Sequence, residues 1–356
     1  MSAVTKDDIL KALVAVRAPT GKDLVAQGWV DGVALQPADG GDAVILTIAV
    51  PPELGPQLEP LRRQAEDVVR ALPGVARVTA VLTAQRPEPP PLQTKPQGPA
   101  KIALPTIKHV VAIASGKGGV GKSTTTANLA LALASMGLKV GVYDADIHGP
   151  SMPRMLGVKD EKPQSDGGDK AYPVPAHGMK VMSIGFMVAE DDPVIWRGPM
   201  VMGALEKFLR EVIWGELDIL LIDMPPGTGD AQLTISQKVP LSGAVIVSTP
   251  QDIALLDARK GLNMFRKVDV PILGLIENMS YHVCSNCGHR EEVFSHGGAR
   301  RTAEELDAEF LGELPLDIGI RATADMGAPV TVSDPEGPHA RAYKAIAKRI
   351  WEKLAD

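Results

Sequence analysis

The chain has 356 residues, of which 45% are hydrophobic, 22% charged and only 4% aromatic, enough for about two domains with aliphatic cores. A net charge of −6 excludes a general nucleic-acid binder, which needs a basic face. "MSAVTKDDIL" lacks a basic stretch leading into an apolar core, and no apolar run approaches the roughly 20 residues that cross a bilayer, so the expectation is a soluble cytoplasmic protein without stable membrane association.

In chain order, Thr5 with Asp8 has the pattern of a capping box opening a helix, and Ile9, Leu13 and Val16 give that helix an apolar face. "WVDGVALQ" and "AVILTIAV" read as strands joined by the turn "PADGGD". Val44, Ile45, Leu46 and Ile48 leave little alternation, which predicts that the second strand is central. Leu58, Leu61, Ala65, Val68 and Leu72 follow a 3-4-3-4 spacing, one face of a second helix, and "ARVTAVLT" closes the unit as a third strand. Residues 1–84 are thus expected to form a small α-β-β-α-β domain. The next stretch, "QRPEPPPLQTKPQGPAKIALP", carries seven prolines over residues 85–105. It cannot sustain a helix or a central strand and is expected to be a semi-rigid linker.

From residue 106 to 356 the pattern becomes strand–helix alternation. "HVVAIAS", "KVGVYD", "DILLID", "GAVIVST" and "PILGLIE" are short, β-branched and nearly all apolar, as strands covered on both faces of a parallel sheet must be. The fold class predicted is α/β, a doubly wound, mostly parallel sheet of the P-loop NTPase kind with a small additional N-terminal domain. "KDEKPQSDGGDK", residues 159–170, reads as a mobile polar loop.

The first of these strands runs directly into "SGKGGVGKSTTTANLALALASMG". Gly116, Gly121, Lys122 and Ser123 satisfy G-x-x-x-x-G-K-[ST]. The loop Gly116, Lys117, Gly118, Gly119, Val120, Gly121, Lys122, Ser123 and Thr124 is therefore the expected ATP phosphate cradle. Its backbone N–H groups wrap the phosphates, Lys122 reaches the β/γ oxygens and the Ser123 hydroxyl binds Mg²⁺. Gly137 stands where a helix C-terminus takes a left-handed residue. Two further strands end in carboxylates, Asp144 with Asp146 beyond one and Asp223 at the end of another. Ligands of open parallel sheets bind beyond such ends. Asp223, after four apolar residues, reads as the acid that holds Mg²⁺ through water, and Gly227 and Gly229 would let the following loop move with the γ-phosphate.

Cys284 and Cys287 are the only cysteines, in "MSYHVCSNCGHRE". A tetrahedral metal or an iron–sulfur cluster usually takes four ligands, and three readings compete. A redox dithiol fits poorly, because the pair sits in a polar loop and does not open a helix. Zinc with His282 and His289 asks one short loop to wrap four ligands around one ion. Alternatively, two subunits each donate two thiolates to one cluster.

The residues carry a resemblance. Lys117, the second lysine in GKGGVGKST, resembles the deviant Walker A motif of the MinD/ParA/nitrogenase-iron-protein class of P-loop ATPases. The resemblance implies a homodimer in which that lysine reaches the partner subunit's nucleotide. Asp146 is similar to the class's acid that orients the attacking water, Asn278 in "LIENMS" to the asparagine that reads the adenine edge, and "LPLDIGIR" to the segment closing over the base. "GVYDADIHGPSMPRMLG", "VIWRGPMV", "DMPPGTGDAQLT", "STPQDIALLDARKGLNMF" and "ENMSYHVCSNCGHREEVF" together look like the Mrp/ApbC family of iron–sulfur cluster carriers. That family resemblance implies an ATP hydrolase, slow and coupled to cluster loading or transfer. Lys117, Lys122, Asp146 and Asp223 would serve catalysis, and Cys284 and Cys287 of each chain would hold a [4Fe–4S] cluster for recipient apo-proteins, with iron–sulfur scaffold or assembly proteins as further partners. Arg197 in "WRGPM" is a candidate for interface or switch contacts. Residues 1–84 resemble the assembly domain often fused to such carriers, but "VRAPTGKDL" replaces its usual Asp-Pro-Glu turn and "TIAVPPELG" lacks its cysteine, so partner docking is expected of it in place of metal binding. The alternatives are a MinD/ParA-like positioning ATPase, using the basic C-terminal helix "ARAYKAIAKRIWEKLAD" on a membrane, and a zinc-bridged ATP-dependent scaffold or chaperone.

Overall fold

The computed structural model describes residues 4–19, 21–38, 41–50, 58–84, 101–147, 149–187 and 198–355, which fall into two compact units, Met1–Pro96 and Gln97–Asp356. In the first, helix α1 (Lys6–Leu13) opens with the Thr5/Asp8 capping box, both of whose reciprocal hydrogen bonds are present. Strands β1 (Val30–Ala38) and β2 (Gly41–Val50) pair antiparallel, helix α2 (Glu59–Arg70) follows, and β3 (Val75–Ala84) pairs parallel with β2, which is central as its unalternating sequence predicts. The buried face of α2 is Leu61, Ala65 and Val69; Val68, expected there, is only partly buried. From Ala65 the 3.6-residue repeat brings position i+4 closer to the face than i+3. Most of the proline-rich stretch, residues 85–100, lies outside the described residues.

The second unit is built on one eight-stranded sheet. Its elements are β4 (Ile107–Ala114), α3 (Lys122–Ser135), β5 (Val140–Asp144), α4 (Met152–Met155), β6 (Gln164–Ser165), β7 (Ala171–Tyr172), β8 (Val174–Ala176), β9 (Met179–Ser183), α5 (Gly198–Glu211), β10 (Leu217–Asp223), α6 (Asp230–Lys238), β11 (Gly243–Ser248), α7 (Asp252–Lys267), β12 (Ile272–Glu277), β13 (His282–Val283), β14 (Arg290–Glu291), α8 (Gly298–Glu305), β15 (Phe310–Glu313), α9 (Ile318–Asp325), α10 (Val330–Ser333) and α11 (Pro338–Ala355). The strand order is β15-β12-β11-β4-β10-β5-β9-β8, parallel throughout except for β8 against β9. The five strands read from sequence are β4, β5, β10, β11 and β12. β8, β9 and β15 extend the sheet at its edges, where short, less apolar runs suffice.

The polar stretch 159–170 is not simply a loop, since Gln164–Ser165 pairs antiparallel with Ala171–Tyr172. Gly137 has φ +87 and ends α3 as expected. The C-terminal helix spends its apolar face on the core, with Tyr343, Ile346, Ala347 and Ile350 buried and Leu354 packed beside them. No helix among the described residues is long and apolar enough to cross a membrane.

Candidate functional site

The strand β4 is central, so the loop leaving its C-terminal end lies amid the ends of its neighbours β10 and β11. Gly119 and Gly121 turn the loop in the left-handed region, φ +81 and +79, where a side chain is strained. Gly116 is glycine for a different reason, because a Cβ there would lie 2.2 Å from the backbone carbon of Asp257 in α7. α3 then starts at Lys122, with its orphan N–H groups and dipole directed at the loop.

Asp223, fully buried at the end of β10, is the focus of the site. Lys122 Nζ lies 2.6 Å from its Oδ2, and Ser123 Oγ donates to the same oxygen at 2.6 Å. Thr126 Oγ1 donates to Oδ1 at 2.7 Å, a contact the sequence reading missed. Its signal is spacing, since residue i+4 from Lys122 lies on the same helix face. Thr124 faces α4, its Oγ1 3.7 Å from Met155 Sδ. The donor set of a hydroxyl and a carboxylate, oxygen only, fits Mg²⁺.

Asp144 ends β5 in direct register with Asp223. Its carboxylate accepts from the N–H groups of Asp146 (3.2 Å), Ser151 (3.0 Å) and Met152 (3.1 Å) and from Ser183 Oγ (3.0 Å). Burial, then the Asp223 charge, push its carboxyl up to about 7, against the pull of the Met152 amide, Lys122 and the Ser183 hydroxyl. Asp146, half-buried two residues beyond the strand, is held by that backbone bond. On the other side, Gly227 N–H bonds Ser115 O at 3.1 Å. Gln232, buried at the start of α6, donates through Nε2 to Pro225 O (2.6 Å) and Ser115 O (3.4 Å). Gln232 thereby ties the loop after β10 to the phosphate loop, a role that its place in "GDAQLT" does not disclose. The stretch 188–197, including Trp196 and Arg197, lies outside the described residues.

Asn278 follows β12 and reaches the phosphate loop, its Nδ2 donating to Val120 O at 2.8 Å. Its Oδ1 is the acceptor an adenine amino group requires. Six residues on, Cys284 and Cys287 sit at the tip of the β13–β14 hairpin, closed by Cys284 N–H to His289 O (2.9 Å) and Gly288 N–H to Cys284 O (2.8 Å). Cys284 is half-buried and Cys287 exposed. The backbone N–H of Cys287, then that of Asn286, then the Cys287 thiol hold the Cys284 thiol below its ordinary range. His282 Nδ1 lies 2.9 Å from Leu316 O, and His289 is exposed.

Behind the hairpin, ligand atoms of Glu277, His296 and Glu313 lie within 4.8 Å of one another. Glu277 already accepts from the N–H groups of Gly297 (2.8 Å) and Ala299 (2.7 Å), and Arg290 sits on Glu313 at 3.2 Å. A guanidinium there opposes a second cation, so the group is an ion-pair network and not a metal centre.

The loop, the strand-end acids and the thiols thus share one edge of one sheet. The family described as NUBPL iron-transfer P-loop NTPase matches residues 106–351, and that of the iron–sulfur cluster assembly protein matches residues 6–80. An iron–sulfur cluster carrier protein of Salmonella typhimurium is 53% identical over 248 residues, 70% of this chain and 67% of the relative. One from Synechocystis is 44% identical over 357 residues, 99% of this chain and 98% of the relative. A nucleotide-binding protein from Archaeoglobus fulgidus, solved in complex with ADP and with cobalt found, is 41% identical with a TM-score of 0.58, covering 67% of this chain and 93% of that one.

Proposed function

The chain belongs to the family of iron-transfer P-loop NTPases, and from that membership we propose that it is an ATP-hydrolysing carrier that takes up a [4Fe–4S] cluster between two copies of itself and passes it to apo-proteins. The observation that carries this reading is the joint placement, at the C-terminal edge of one sheet, of the Lys122–Ser123–Asp223 group and the hairpin bearing Cys284 and Cys287. The amides of Gly116 to Thr124 bind the phosphates, and Lys122 exchanges Asp223 for the β/γ oxygens. The Ser123 hydroxyl, and Asp223 through water, would hold Mg²⁺, which would supply positive charge to the phosphate oxygens. Asp146 orients the attacking water, and Asn278 reads the base. Lys117 acts on the partner subunit's nucleotide.

Two thiolates are half the ligand set of a cluster. A tip with Cys287 exposed and the Cys284 thiol held below its ordinary range by backbone N–H groups is suited to complete that set with a second copy and to release the cargo afterwards. The relatives' names, iron–sulfur cluster carrier proteins, support that cargo. A slow turnover suits a nucleotide state that gates loading or transfer. With the cytoplasm as its compartment, the thiols would stay reduced.

The test is anaerobic reconstitution with iron and sulfide. The wild type should form a dimer with broad sulfur-to-iron visible absorption, and Cys284→Ala should lose it. Lys122→Ala should load the cluster and lose ATP hydrolysis by about 100-fold or more. Equal loading by a Cys284→Ala/Cys287→Ala variant, or zinc in place of iron after anaerobic purification, would overturn the reading.

A further inference from the structure

The strand β12 serves two sites with one backbone. Asn278 bonds the phosphate loop at Val120. The next residue, Met279, holds φ +55 and places its Cε 3.6 Å from where a Cβ on Gly121 would stand. A bulky residue in the left-handed region is strained and persists only where its surroundings impose it. Ser280 follows, buried, with its Oγ 2.6 Å from Glu277 Oε1 and 3.4 Å from Glu313 Oε2. The hairpin begins two residues later.

Glu313, at the end of the adjacent strand β15, grips that hairpin from the other side. Its Oε1 accepts from Arg290 at 3.2 Å, and its Oε2 lies 2.7 Å from His296 Nε2. Arg290 is the cross-strand partner of Val283, the residue before Cys284. Its guanidinium stacks 3.7 Å over the Tyr281 ring and lies 3.2 Å from His296 Nε2. The Arg290–Glu313 contact joins a guanidinium to a carboxylate, and charge-assisted bonds of that kind are among the stronger and more directional ones. The base of the hairpin is therefore clamped to the end of β15 and to the end of β12, the strand that leads into the Asn278 contact with the phosphate loop.

We propose that Glu313 is a positioning residue for the thiol pair: through Arg290 and His296 it locks the hairpin to the β12 and β15 strand ends, so that nucleotide at the phosphate loop alters the reactivity of Cys284 and Cys287. The proposal rests on the nucleotide and cluster reading above and adds the path between the two sites. A shift of Asn278 and Met279 on nucleotide binding is carried through Ser280 to Glu313, and from there to the strand that ends at the cysteines. Without the clamp the hairpin keeps its backbone bonds and the His282 contact with Leu316 O but loses its side-chain link to Glu313 and no longer follows.

The experiment uses the full chain, reduced and free of cluster, and follows alkylation of the two thiols by iodoacetamide. Rates are compared without nucleotide, with ADP, and with a non-hydrolysable ATP analogue and Mg²⁺. In the wild type the analogue should change the rate by about fivefold or more, the lower end of typical couplings between sites. In Glu313→Gln and in Arg290→Ala the ratio should fall to about one while analogue binding persists, and Arg290→Lys should restore part of it. Arg290 is partly exposed, so its variants guard against misfolding at Glu313. A wild-type ratio of one, or an undiminished ratio in both variants, overturns the proposal. Cluster loading by the wild type is read separately: its failure would overturn the carrier function, and the alkylation ratios would still decide the role of Glu313.

Discussion

Asp144 and Asp223 end neighbouring strands in direct register, yet their surroundings give them different work. Asp223 faces the first turn of α3 and gathers Lys122, Ser123 and Thr126. Asp144 faces the following loop and satisfies backbone N–H groups at the start of α4. Sequence identifies both as strand-end acids but not this division, because it depends on which loop each carboxylate meets. The buried Asp144 has a measurable consequence. Its folded pKa of about 7 lies above the ordinary 3.8, so the unfolded chain releases that proton first as pH rises. Its contribution to stability is intact below the ordinary value and is lost between there and about 7. Denaturant unfolding of the nucleotide-free protein should show a loss of the order of 2 kcal/mol between about pH 5 and about pH 8, and Asp144→Asn should remove most of that slope.

At the scale of elements, the phosphate loop is shaped as much by α7 and β12 as by its own glycines. The motif G-x-x-x-x-G-K-[ST] makes both ends legible in sequence, but the reasons for glycine differ. Gly121 needs φ +79 and also leaves room for the Asn278 amide, 2.2 Å from a would-be Cβ. Gly116 abuts the α7 backbone at Asp257, and backbone cannot swing aside as a side chain can. Gly116→Ala should therefore displace the loop or α7 at a cost of about 1–3 kcal/mol. In thermal unfolding with and without ADP, the wild type should be stabilised by ADP and the variant should not be. Gly118, for which a Cβ meets only Pro226 Cβ at 4.0 Å, should tolerate alanine in the same assay. The motif requires glycine at 116 and not at 118, but the reason, the α7 backbone against Gly116, is visible only in the structure.

At the scale of the molecule, the two units have separate cores. One is built around Ile9, Leu13, Leu46, Ile48 and Ala65, the other around the eight-stranded sheet, and among the described residues the two share no buried residue. Residues 101–356 expressed alone should fold, bind ATP and load a cluster with the cysteine dependence of the full chain. Transfer to apo-proteins would be the step to slow if residues 1–84 serve partner docking, and rates of transfer to a model apo-protein test that. Within the larger unit, α11 lies along α3 with Ile346 and Ile350 buried. Ile346→Ala should cost about 2–5 kcal/mol, and the full chain should not sediment with liposomes, since the apolar face that a surface-bound helix would offer is already used.

The sequence by itself determined the α-β-β-α-β unit, the five inner strands, the phosphate loop and the thiol pair. Each is written in local period, in a glycine pattern or in a short spacing, and local chain geometry suffices to express it. Only the tertiary structure decided which residues meet beyond those spans. Thr126 on Asp223, Gln232 on Ser115, Asn278 on Val120 and Glu313 on Arg290 join groups from separate parts of the chain. A parallel sheet brings strand ends together only after each crossover has closed, so those contacts are properties of the sheet edge and of no single segment.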